Sequence, residues 1–114
     1  MTQHPLPGIK QFDLTGKAAV VTGGSKGLGL AMAAGLASAG ADLLLVNRNA
    51  AEGQAAADQL AADFNVRAYA FAADVTKQDE AEAMAARAVE LFGKIDILIN
   101  SAGINIRGPI DELK

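Results

Sequence analysis

Thr22-Gly23-Gly24-Ser25-Lys26-Gly27-Leu28-Gly29 is the stretch of this chain best suited to chemistry. It lies between an apolar, β-type run and a helix-type run. Glycines at such a junction leave backbone N–H groups uncovered by any Cβ, at the positive end of a helix. A pyrophosphate is the group such a loop seats. Glycines also make plain turns, so the specificity comes from context: a strand before, a helix after and a βαβ unit around them. The spacing is Gly-x-x-x-Gly-x-Gly, longer in its first gap than the common dinucleotide fingerprint Gly-x-Gly-x-x-Gly.

A second candidate group closes the second β-type run. An Asp or Glu about 20 residues past the glycines would bind a ribose 2′-hydroxyl and repel a 2′-phosphate. Asn47 stands there instead, uncharged, followed by Arg48, and Lys26 adds a cation within the loop. Both cations suit a phosphate that carries close to two negative charges. Arg48 also reads as a solvated loop residue, because surface arginines are common. The balance favours NADP(H), with NAD(H) possible.

These residues need a scaffold, and the pattern supplies one. Apolar, β-leaning runs at 18–22, 42–46, 67–72 and 95–100 alternate with three helical stretches. Several runs are continuously apolar, as expected when helices cover both faces of a sheet. The first helix presents Leu28, Met32, Leu36 and Ala39 as its inner face and ends at Gly40; the second presents Ala56, Leu60 and Phe64. The third, at 78–92, buries Ala81, Met84, Ala85, Ala88 and Phe92, wets Glu80, Glu82, Arg87 and Glu90, and stops at Gly93. Gly40 and Gly93 fit left-handed C-caps. The alternation predicts an α/β fold with a Rossmann-like, doubly wound parallel sheet.

Composition narrows the class. The chain has 114 residues, 51% hydrophobic and 20% charged, typical of a globular domain. A net charge of −3 and a pI near 5.0 argue against a nucleic-acid surface. Cysteine is absent, which excludes disulfides and thiolate chemistry. No cluster has metal-ligand spacing, and the single histidine, His4, reads as a tail residue. The opening residues do not read as a signal peptide and no run is long enough to span a membrane, so a soluble, cytoplasmic protein is expected.

The glycine loop, Asp74-Val75 and Asn100-Ser101-Ala102-Gly103 occur in the order that resembles the short-chain dehydrogenase/reductase family. The resemblance runs from Leu14-Thr15-Gly16-Lys17 onward. It implies residues 1–13 as a tail and 14–114 as the dinucleotide-binding half of a fold whose catalytic half lies elsewhere, with strand order 3-2-1-4. It further implies that Gly23 makes the tight turn, Gly27 admits the pyrophosphate and Gly29 packs the helix on the sheet. Ser25, Lys26 and Leu28 would line the phosphate and ribose pocket. Asp74 would accept from the adenine amino group, with Val75 on the ring. Asn100, Ala102 and Gly103 would pass beneath the nicotinamide-side ribose, and Ser101 replaces the family's usual second asparagine. Two plainer readings stay open: Asp74 as a cap of the helix beginning near Lys77, and Asn100 as a satisfied strand end.

Hydride transfer needs a proton donor or acceptor beside the substrate oxygen. The family supplies a Tyr-x-x-x-Lys pair and a serine. Tyr69 is the chain's only tyrosine and is followed at that spacing by Ala73, so it reads as sheet packing, and no catalytic residue is assigned. The expectation is an NADP(H)-dependent oxidoreductase acting on a small alcohol or carbonyl substrate, inactive as these 114 residues alone; the alternative is a non-catalytic dinucleotide-binding module. The stretch from Ala102 to Arg107 is similar to the family's sugar-acid and polyol dehydrogenases. Arg107 reads as either an exposed loop residue or a contact to an anionic substrate. The last strand is expected to present an apolar edge that the rest of the fold or another copy covers, and the family implies a homo-oligomer, tetramer or dimer.

Overall fold

A computed structural model describes residues 13–101. The tail before Asp13, and Ala102, Gly103 and Arg107 with their neighbours, lie outside the described residues. Strands β1 (Ala18–Thr22), β2 (Asp42–Asn47), β3 (Ala68–Ala72) and β4 (Ile97–Asn100) form a parallel sheet in the order β3-β2-β1-β4. Helices α1 (Gly27–Ser38), α2 (Ala50–Phe64) and α3 (Gln78–Phe92) make the crossovers. This is the expected Rossmann-like parallel sheet, with the expected strand order 3-2-1-4. None of these helices is long and apolar enough to cross a membrane.

Strand alternation explains how both faces are covered. Ala19, Val21, Leu43 and Leu45 face α1 and α2, where they cluster with Ala33, Ala37, Ala57 and Leu60. Val20, Leu44 and Val46 face the other way and cluster with Ala73, Met84 and Ala88 beside α3. Because α1 and α2 lie on one side and α3 on the other, the chain reverses its winding between β1 and β4. In open α/β sheets such a reversal opens a crevice at the carboxyl ends of the strands.

The inner faces of α1 and α2 differ from expectation. Leu28 is 56% exposed, and α1 buries Gly29, Ala33 and Ala37 instead. Nearly every position of α1 is apolar, so periodicity carries no face signal there, and the smallest side chains take the closest approach to the sheet. In α2 the buried row is Gly53, Ala57 and Leu60, while Phe64 is exposed. The α3 prediction holds at Met84 and Ala88, with Glu80 drawn in to accept the Asp74 N–H at 2.7 Å.

Two strands begin later than expected because side chains replace ladder bonds. Asp42 accepts the Arg67 N–H at 2.9 Å and pairs with its guanidinium at 2.8 Å, ahead of β3. The Asp96 carboxylate accepts the Ala18 N–H at 2.9 Å, ahead of β4. Helix ends follow the capping rules. Ala39 is the C-cap of α1, with left-handed Gly40 just beyond, while Gly93 and Asn65 take left-handed C-cap positions after α3 and α2.

Candidate functional site

The crevice at the strand ends is a cleft of about 460 Å³ lined by Gly23, Ser25, Lys26, Asn47, Arg48, Asp74 and Val75, among others. The first motif builds one wall. β1 passes directly into the glycine loop, whose start is tied to β2 by the Gly23 N–H on the Val46 carbonyl at 2.6 Å. Gly23 and Gly27 have φ of +70° and +63°, a left-handed backbone that side chains disfavour. Gly29 is needed for a different reason. A Cβ there would run into the Gly23 carbonyl and the Ser101 hydroxyl.

Lys26 is the N-cap of α1 in extended conformation, with no side-chain cap bond and no acidic residue in the first turn. The helix therefore offers its first N–H groups and its positive dipole end with no acidic residue of its own to meet them. Around Gly27 nothing lies within 4 Å of where a Cβ would stand, so the loop has open space on that side.

The second wall is the end of β2. Asn47 is held by its carbonyl, which accepts the Ala73 N–H at 2.9 Å. Its side-chain Nδ2 is buried and has no partner. An orphaned buried donor costs roughly 1–3 kcal/mol unless a ligand or water satisfies it. A polar ligand reaching this end of the cleft would supply an acceptor. Arg48 follows, and its charge helps to hold the Asp74 carboxyl ionised.

Asp74 does not cap α3; Lys77 occupies that position. Its Oδ1 accepts from the Thr76 hydroxyl at 2.6 Å and the Thr76 N–H at 3.0 Å. Those bonds, aided by Arg48 and Lys77, hold its carboxyl below the usual value. Val75 packs against the α3-side core and also lines the cleft.

Gly27, Leu28, Gly29 and Asn100 are not among the cleft-lining residues. They stand beside it, in the first turn of α1 and at the tip of β4. Asn100 accepts from the Thr22 hydroxyl at 2.9 Å, and the Ser101 hydroxyl donates to the Thr22 carbonyl. The first and last motifs are thus joined directly. Tyr69 lies in β3 with its ring 5.9 Å from that of Phe92, outside the cleft.

Sequence reasoning passed over Asn49, Glu52, Ala73 and Thr76, which also line the cleft. Asn49 caps α2 by accepting the Glu52 N–H at 2.9 Å. Glu52 turns to the glycine loop, where it accepts from the Ser25 hydroxyl at 2.9 Å and approaches Lys26 at 3.9 Å. The Asn-x-x-Glu spacing signals a helix start, and nothing local announces the loop contact.

The residues present fit a dinucleotide, on the uncapped helix start, the open glycine loop and the unsatisfied Asn47 donor. A family model described as short chain dehydrogenase matches residues 17–114. The chain is 41% identical over 109 residues to 2-dehydro-3-deoxy-D-gluconate 5-dehydrogenase of Formosa agariphila, covering 93% of this chain and 40% of that protein. It is 43% identical over 101 residues to gluconate 5-dehydrogenase of Gluconobacter oxydans, covering 89% and 39%. Among solved structures, L-sorbose reductase from Gluconobacter frateurii complexed with NADPH and L-sorbose superposes with a TM-score of 0.79 at 39% identity, covering 89% of this chain and 38% of that one.

Proposed function

The chain belongs to the short-chain dehydrogenase family, and from that premise we propose that it forms the cofactor-binding part of an NADP(H)-dependent oxidoreductase that interconverts an alcohol and a carbonyl. It spans about two-fifths of the curated relatives it matches, 40% and 39% of their lengths. The observation that carries the proposal is the cleft. An uncapped helix start, an open glycine loop, an unsatisfied buried amide and two cations converge where the winding reverses.

Each residue has a role in this reading. Gly23, Ser25, Gly27, Leu28 and Gly29 form the pyrophosphate seat, with backbone amides as donors. Lys26 and Arg48 meet the 2′-phosphate, and Asn47 donates its orphaned Nδ2 to the adenosine ribose side. Asp74 accepts from the adenine amino group and Val75 packs on the ring. Asn100, with Ala102 and Gly103 beyond the described residues, supports the nicotinamide-side ribose. The bound nicotinamide supplies the hydride acceptor or donor; these residues hold and orient it.

The names of the relatives support a sugar acid or ketose as the substrate class. No Tyr-x-x-x-Lys occurs in these 114 residues, so this chain alone is expected to turn over no substrate. Titration of the full-length protein with NADPH and NADH, followed by calorimetry, tests the proposal. Tighter binding of NADPH is expected, lost in Gly29→Asp. No binding of either at millimolar concentration, or an unaffected Gly29→Asp variant, would overturn it.

A further inference from the structure

Glu52 is the acidic residue of the cleft's phosphate side, and the roles assigned above leave it unused. Resting on that reading, we propose that Glu52 is a specificity-determining residue. Its carboxylate offsets the positive charge that grips the 2′-phosphate, and so sets how far the protein prefers NADP(H) over NAD(H).

Geometry puts the carboxylate in that position. In a complete capping box the glutamate three residues past the N-cap folds back onto the N-cap N–H. Here only half of the box forms, with the Asn49 side chain accepting the Glu52 N–H at 2.9 Å. The Glu52 carboxylate instead crosses to the glycine loop. One oxygen takes the Ser25 hydroxyl at 2.9 Å, and Ser25 is only 8% exposed. The other lies 3.9 Å from the Lys26 ammonium. Glu52 therefore stands beside one of the two cations proposed for the 2′-phosphate, in the cleft that Arg48 also lines.

The two contacts differ in strength. Lys26 is 80% exposed and its separation from Glu52 is long, so solvent screens that pair and it yields readily. The Ser25 hydroxyl is largely buried while the Glu52 side chain is 38% exposed, and the bond between them holds the carboxylate beside the loop. A 2′-phosphate reaching Lys26 thus meets a carboxylate already seated at the loop. NAD(H) carries a neutral hydroxyl at the same position, so it shares only the pyrophosphate with NADP(H) and lacks the repulsion at the 2′-position. Lys26 and Arg48 favour the phosphate and Glu52 opposes it, with the two cations outnumbering the one anion.

The test compares dinucleotide affinities of the full-length protein and its Glu52→Gln variant by calorimetry at low ionic strength. Glutamine keeps an acceptor for Ser25 and the side-chain shape while removing the charge. The NADP+ to NAD+ preference is expected to rise about fivefold in the variant, the scale of a single charge removed nearby in a well-solvated site, because any effect on the pyrophosphate that both dinucleotides carry cancels in that ratio. Added salt should shrink that gain. Glu52→Ala loses the brace on Ser25 as well, so both affinities fall, yet the NADP+ to NAD+ preference still rises.

A preference that stays the same or drops in both variants overturns the proposal and leaves Glu52 a brace for the loop. If the unaltered protein binds neither dinucleotide, the proposed function fails with it. Binding with an unmoved preference defeats this inference alone.

Discussion

In the proposed reading, Arg48 and Asn47 at the end of β2 set the choice between the two dinucleotides. The end of β2 has no carboxylate for a ribose hydroxyl, and Arg48 can grip a phosphate through several N–H groups at once. Arg48→Ala should weaken NADPH binding about tenfold or more, as expected on loss of a charge-assisted contact, while NADH affinity barely moves. Parallel titrations of the two dinucleotides read this directly, and an equal loss for both would assign Arg48 to the fold instead. The glycines were legible in the sequence because their demand is local: Gly23 and Gly27 need left-handed backbone, and Gly29 needs the absence of a Cβ. Glu52 was not legible, because its partners Ser25 and Lys26 are remote in sequence and come near only through the β1–α1 and α2 packing.

Among the elements, existence was easier to read than orientation. Every strand and helix was visible as an apolar run or a helical stretch. The inner face of α1 was not, since a helix of Gly, Ala, Leu and Met offers no polar side to contrast. Strand starts were misplaced where Asp42 and Asp96 bond to backbone N–H groups and stand in for ladder partners. The α2 terminus illustrates how much one backbone conformation can weigh. Asn65 sits at φ +57° and its N–H bonds the Ala61 carbonyl at 2.9 Å. A β-branched residue tolerates that conformation poorly, so Asn65→Val should cost about 1–2 kcal/mol, whereas Asn65→Gly should hold or raise stability. Urea denaturation of the two variants distinguishes them, and equal midpoints would refute the account.

At the scale of the whole molecule, the sheet is tied to its last strand by an acid. The Asp96 carboxyl is held below its ordinary value of 3.8 by the Ala18 N–H bond, the Lys94 hydrogen bond and the charges of Lys94 and Lys17. A depressed folded-state value means that the unfolded chain binds the proton first as pH falls. The stabilisation is complete above about pH 4 to 5 and disappears as pH drops through the lower folded value. Asp96→Asn should therefore flatten the acid limb of the stability profile, with Asp74 leaving a residual slope. Thermal melts between neutral and strongly acidic pH provide the check; an unchanged acid limb would exclude Asp96 as its source. β4 also carries Leu98 58% exposed at the sheet's edge, the apolar rim expected from its composition. The pairing register has a further consequence in time. β1 leaves the ribosome first, yet Ala19 receives Leu43 on one flank long before Ile97 arrives on the other. During synthesis the chain can thus assemble three strands and two helices as an early nucleus, and the joint between Thr22 and Ser101 closes after them. The proposed seat for the phosphates would then exist on the nascent polypeptide before the proposed nicotinamide end does.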